Sequence, residues 1–307
     1  MLPLNNVQTQ VISLGRWVEE SFPQAGKKDV VIVIPGNPGI PEFYEGFISS
    51  VKSKIPSEIP IWVVGQAGHM LPPEHLGISM PSDEEWDQYY GLTAQVKHKI
   101  KFIKTYVPND AKIYLIGHSI GSWIILNLLK DEDISRKVEK CYLLFPTIEN
   151  MADTWNGKML TFFILYIANL MFNIFWILSF LPNFFQKVVM RIFFICSNIP
   201  AKFSDTIHLM LEPRILKRVF KLTEEELKEV KELDHNIIDQ HAHKLWLYYS
   251  IKDQWTPIKF YENMKAKHPN VETNLCEHNF PHDFVLHYDK EMGEMIGNLI
   301  NENMSKY

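Results

Sequence analysis

The sequence predicts an α/β fold: a mostly parallel sheet flanked by helices, carrying an apolar helical insertion. Three observations predict it. Short apolar runs alternate with helical patterns along most of the 307 residues, an order that buries a parallel sheet between two helical layers. Gly117-His118-Ser119-Ile120-Gly121 stands directly behind one such run and ahead of a helix. An uncharged block at 159–181 separates the strand-like run at 141–145 from the one at 245–249.

Residues 1–17 read as an edge strand. Val30–Ile34 is a buried strand ended by Pro35-Gly36, and 41–55 reads as a helix. Ile61–Val64 is the next strand. One long helix is expected over 83–106, with Ser82 as its N-cap and Glu85 completing a capping box. The run at 112–116 leads into the serine turn, and 123–129 follows as a mostly apolar helix. Strands are expected at 141–145, 245–249 and 271–276, with a helix between the last two that carries Pro257 at its first position. Residues 283–303 close the chain as a helix. Thr223 to Lys231 reads as a solvated charged helix, with Thr223 as N-cap and Glu226 in a capping box, and carries no chemistry.

Serine between two glycines, at a strand end and before a helix, reads as a nucleophile elbow. The turn is too sharp for side chains at the flanking positions. It lifts the Ser119 hydroxyl to the helix N-terminus, where developing negative charge is favoured. A serine hydroxyl needs a base, and the base needs an orienting carboxylate. Both should lie past carboxyl ends of strands. Asp253, after the 245–249 strand, is the candidate acid. His282, just after the last strand and before the last helix, is the candidate base. His278 is the second choice. Asp234 and Asp239 precede their strand and belong at its opposite end. His118 is expected to pack beside the elbow, and His69 to be a satisfied loop histidine. The oxyanion hole takes two backbone N–H groups, from Ile120 after the nucleophile and from Asn37 in the Pro35-Gly36-Asn37-Pro38-Gly39 loop. Such a site needs no metal or organic cofactor.

Composition narrows the alternatives. A net charge of −5 argues against a nucleic-acid partner. Cys141, Cys196 and Cys276 have no metal-like spacing and read as reduced, structural thiols. The first residues lack the pattern of a cleavable signal peptide. The uncharged 159–181 block has 23 residues, enough for a ~30 Å hydrocarbon core. A second apolar arm runs over 188–199 behind Pro182-Asn183. Residues 156–221 hold eight basic and two acidic residues, a local charge of +6 that suits an anionic lipid surface. Ser119 precedes the block, and Asp253 and His282 follow it. One shared site therefore excludes a single membrane crossing, leaving a hairpin dipping into lipid or a lid with an apolar face. The organisation expected is a discontinuous catalytic domain, 1–150 and 222–307, with the insertion at 151–221.

The elbow, the 35–39 loop and the order Ser119, Asp253, His282 resemble the α/β-hydrolase superfamily over nearly the whole chain. Ile34 to Tyr44, the Gly-His-Ser-Ile-Gly turn and the apolar block are most similar to the lipid-droplet-associated hydrolase family. The resemblance implies a serine esterase of neutral lipids, with sterol esters a candidate substrate class, on droplets and the endoplasmic reticulum. Pro35 departs from the superfamily, in which a histidine often precedes the loop glycine. Two rival functions share these residues: a lipid acyltransferase using the same triad, and a lipid-droplet surface protein with a weak or inactive site.

Overall fold

The computed structural model describes residues 1–22, 28–166 and 199–305. Residues 167–181 of the apolar block, nearly all of its second arm and Cys196 lie outside that set. The strands are β1 (Leu2–Leu4), β2 (Val7–Thr9), β3 (Val11–Leu14), β4 (Val30–Ile34), β5 (Ile61–Val64), β6 (Ile113–His118), β7 (Val138–Leu144), β8 (Leu245–Tyr249) and β9 (Glu272–Leu275). β1 and β2 form a hairpin. The other seven make one sheet in the order β3-β5-β4-β6-β7-β8-β9. β3 runs antiparallel against β5 at one edge, and every other pairing is parallel.

The sheet's interior strands are almost wholly apolar because both faces are covered. Alternate residues serve the two layers. Ile32, Ile34, Leu115 and Leu143 pack with one core. Val31, Val33, Ile116 and Leu144 pack with the other. The helices are α1 (Glu45–Lys52), α2 (Trp86–Tyr89), α3 (Leu92–Tyr106), α4 (Ile120–Leu128), α5 (Glu132–Lys137), α6 (Trp155–Tyr166), α7 (Ser204–Met210), α8 (Pro213–Glu229), α9 (His235–Gln240), α10 (Ile258–Lys267) and α11 (Asp289–Ser305). α3 and α4 contribute to the first core; α1 and α11 contribute to the second.

Several helices depart from their expected form: Pro257 is the N-cap of α10, not its first residue, and the closing helix starts at Asp289 behind a short turn at Phe284–Leu286. The 83–106 segment begins with the expected Ser82 capping box, but it breaks at Tyr90-Gly91 into α2 and α3. The break is stabilised from a distance: the Leu92 N–H, orphaned at the new helix start, donates to the Glu225 carboxylate at 2.7 Å. The expected charged helix at 223–231 is instead the second half of α8. That helix is capped by Glu212, whose side chain accepts from the N–H groups of Arg214 and Ile215. Thr223 is not an N-cap, and both Thr223 and Glu226 are buried.

Among the described residues no helix is long and apolar enough to cross a membrane. The described part of the apolar block, 159–166, lies in α6. The helix's Trp155, Met159, Phe162 and Tyr166 follow helical spacing along one face and are 64%, 51%, 54% and 70% exposed.

Leu115 sits fully buried at the centre of the sheet. Leu115→Ala should cost about 2–5 kcal/mol, the usual range for an enclosed leucine. Chemical denaturation measures this, and a loss well under 1 kcal/mol would contradict the described packing.

Candidate active site

β6 ends in the sharp turn its glycines anticipate. Ser119 takes φ 54° and ψ −124°, an unfavourable conformation for a residue with a side chain. The turn holds because nothing larger than glycine fits beside it. A Cβ on Gly121 would lie 2.1 Å from the Ile34 carbonyl oxygen, and one on Gly117 would lie 2.7 Å from Ile125 Cδ1. α4 starts at Ile120, so the serine hydroxyl stands at a helix N-terminus.

The two other predicted residues meet it there. The Ser119 hydroxyl donates to His282 Nε2 at 2.9 Å. His282 Nδ1–H donates to Asp253 Oδ2 at 2.7 Å. Asp253 is held in turn by the N–H groups of Trp255 (2.7 Å) and Thr256 (3.2 Å) and by the Thr256 hydroxyl (2.7 Å). Asp253 is 2% exposed. Burial works to raise its pKa, but the His282 charge and these donors outweigh it and hold the carboxyl below its ordinary range. An ionised Asp253 fixes Nδ1–H on His282 and leaves Nε2 free to accept the serine proton.

The Pro35–Gly39 loop crosses the elbow at close range: a Cβ on Gly36 would stand 3.0 Å from Ser119 Cβ. Gln66 Nε2 donates to the Pro35 carbonyl at 3.0 Å, and His69 Nδ1–H donates to Pro38 O at 2.6 Å. Lys99, fully buried, supports Gln66 Oε1 at 2.9 Å; burial lowers its pKa to about 7. The Gly36 N–H donates to the Tyr44 hydroxyl at 2.9 Å. That hydroxyl donates to His118 Nδ1 at 2.6 Å, and His118 Nε2–H donates to the His282 carbonyl at 2.8 Å. Burial first, then the His282 charge, lowers the His118 pKa to about 3, so His118 is a neutral spacer between the loop and the base.

The alternatives lie elsewhere. His278 stacks on Phe280 at 5.4 Å between ring centroids. Asp239 accepts from His268 at 2.6 Å, and Asp234 caps α9. Sequence reasoning missed Thr256, which supports Asp253, and Thr147, whose hydroxyl lies 3.4 Å from Ser119 Oγ. Neither carries a motif. It also missed the α8 side chains on the 35–39 loop: the Asn37 amide donates to Val219 O (3.1 Å), Thr223 Oγ1 (2.7 Å) and Glu226 Oε1 (3.1 Å).

With this geometry in view, three comparisons bear on it. The family model described as lipid-droplet associated hydrolase matches residues 27–285. A lipid droplet-associated hydrolase of Drosophila melanogaster is 35% identical over 301 residues, covering 98% of this chain and 97% of its own. Its Homo sapiens counterpart is 34% identical over 311 residues, covering 97% and 93%. Among solved structures, a hydrolase from Oleispira antarctica aligns with TM-score 0.61 at 11% identity, over 98% of this chain and 95% of its own. A bromoperoxidase from Bacillus anthracis aligns with TM-score 0.60 at 11% identity, over 97% and 98%. At such low identity these two speak to the fold alone.

The lowered Asp253 pKa sets a pH dependence. The folded carboxyl ionises below its unfolded value near 4. Its charge therefore stabilises the fold above that pH, and the contribution fades as pH falls through the lowered value. Asp253→Asn should lower Tm at pH 6–7, with the gap to wild type narrowing below about pH 4. A gap unchanged across that range would contradict the assignment.

Proposed function

The chain belongs to the lipid-droplet-associated hydrolase family and has the α/β-hydrolase fold, and from that premise we propose that it is a serine ester hydrolase acting on neutral lipids. The observation that carries this reading is the continuous hydrogen-bond chain from Ser119 through His282 to Asp253. In this mechanism His282 Nε2 takes the Ser119 proton as Oγ attacks the ester carbonyl. The backbone N–H groups of Asn37 and Ile120 stabilise the tetrahedral oxyanion. His282 then returns the proton to the departing alcohol, leaving an acyl-enzyme. Water, deprotonated by the same imidazole, attacks the acyl-enzyme, and the acid is released as Ser119 recovers its proton. Asp253 holds the imidazole in the correct tautomer and stabilises its protonated form.

The proposed substrate is a neutral lipid ester, with sterol esters the leading class. The proposed site of action is the surface of lipid droplets and the endoplasmic reticulum, with the catalytic domain facing the cytosol. The relatives' names support droplet association. So do the uncharged 159–181 block, the +6 charge of 156–221 and the exposed apolar face of α6. A hairpin or lid within 151–221, entering the lipid from one side, keeps Ser119, Asp253 and His282 together.

A fluorophosphonate probe should label the protein at Ser119. Ser119→Ala should abolish labelling, and His282→Ala should slow it by roughly a thousandfold or more. Labelling that persists in Ser119→Ala would refute the nucleophile. On phospholipid-coated droplets with a neutral-lipid core, Phe162→Asp combined with Tyr166→Asp should reduce co-flotation several-fold without changing soluble-probe labelling. Unchanged flotation would remove α6 from the lipid-binding surface.

A further inference from the structure

α8 is unusual in where its polar side chains go. Of the residues in the Thr-Glu-Glu-Glu run, Thr223 and Glu226 are 8% and 2% exposed. They turn inward with Arg218 and Glu225. Arg218 pairs with Asp83 at 2.7 Å and donates to the Gly68 carbonyl at 3.2 Å, and its guanidinium lies over the Tyr90 ring at 4.1 Å. Glu225 accepts from the Leu92 N–H and from the Trp86 indole. This leaves the helix fixed to the catalytic domain at three points. The third point is Asn37.

The Asn37 amide nitrogen meets Val219 O, Thr223 Oγ1 and Glu226 Oε1 within 3.1 Å. The Val219 carbonyl can only accept, and the Thr223 hydroxyl already donates to it, which assigns the nitrogen, not the oxygen, to α8. Asn37 Oδ1 is buried with no hydrogen-bond partner among the described residues, so the nitrogen end alone anchors the side chain. Asn37 also sits in the backbone stretch that crosses Ser119. A residue whose N–H must meet an oxyanion needs a fixed ψ and φ around it, because donors work only when aimed before the charge develops.

We propose that Glu226 and Thr223 are positioning residues: they hold the Asn37 side chain, and through it the backbone N–H that meets the oxyanion. The inference rests on the reading of Asn37 as an oxyanion donor. It assigns chemistry to the C-terminal half of a helix that starts inside the basic insertion. Burial, with a smaller contribution from the Glu225 charge, raises the Glu226 pKa to about 8, partly offset by the Asn37 hydrogen bond. Burial thus favours the neutral carboxyl, whose carbonyl oxygen accepts from Asn37 without leaving a bare charge in the protein interior.

The test is the rate of Ser119 phosphonylation by a fluorophosphonate, separated into kinact and KI, on the full-length protein. Glu226→Ala should lower kinact about tenfold, the scale of one lost hydrogen bond acting on the transition state, with KI within about twofold. Glu226→Gln keeps the acceptor in the same shape and should restore kinact to within about twofold of wild type. Thr223→Val should lower kinact less, by about threefold. In an Asn37→Ala background, which keeps the backbone N–H, Glu226→Ala should have no further effect. Wild-type kinact in both Glu226→Ala and Thr223→Val overturns the proposal. So does a Glu226→Gln defect equal to that of Glu226→Ala, or a Glu226→Ala defect that persists undiminished in Asn37→Ala. A wild-type protein whose labelling does not depend on Ser119 would instead overturn the underlying hydrolase mechanism.

Discussion

A serine in a left-handed conformation, φ 54° at the end of β6, is the constraint on which the site depends. The strain is local, but what maintains it is not. β6 lies at the middle of the sheet, hydrogen-bonded to β4 on one side and β7 on the other. The Gly121 position lies against the Ile34 carbonyl at the end of β4. Two buried strands therefore fix the turn from opposite directions, and the turn cannot relax without separating them. In this way the free energy of the core is used to hold one hydroxyl above the sheet.

The hydrogen bond from that hydroxyl to His282 joins segments 163 residues apart. Parallel topology makes this possible. β6, β8 and β9 point the same way, so the loops after them emerge along one edge of the sheet. Asp253 and His282 need only be loop residues behind their strands to arrive near Ser119. The Gly36–Tyr44–His118–His282 series then ties the loop after β4 to the loop after β9. Its links are a backbone N–H, a phenol, the neutral His118 ring and the His282 backbone carbonyl, so it fixes distance without introducing a competing charge beside the Asp253–His282 pair.

What could be read from sequence followed this division between local and distant causes. The elbow turn and the placement of Asp253 and His282 beside it were legible because glycine spacing and strand ends are local signals. The single helix expected at 83–106 failed because the group that stabilises the break, Glu225, lies more than a hundred residues away. The Thr223–Glu226 pattern was misread for a related reason. Four polar residues in a row imitate a helix start, yet here they lie mid-helix, with two of them facing Asn37 across 186 and 189 residues of sequence separation. Thr147 and Thr256 left no signal because a single threonine's hydroxyl has meaning only once its neighbour is known.

In the proposed mechanism the backbone over Ser119 and the imidazole beside it are aimed at one reacting centre. A crystal structure of the phosphonate adduct tests it directly. Phosphorus should be bonded to Ser119 Oγ, with the phosphonyl oxygen within about 3 Å of both the Asn37 and Ile120 N–H groups. His282 Nε2 should stay within hydrogen-bond reach of Ser119 Oγ. An adduct whose phosphonyl oxygen points away from both N–H groups, with the 35–39 loop unchanged, would contradict it.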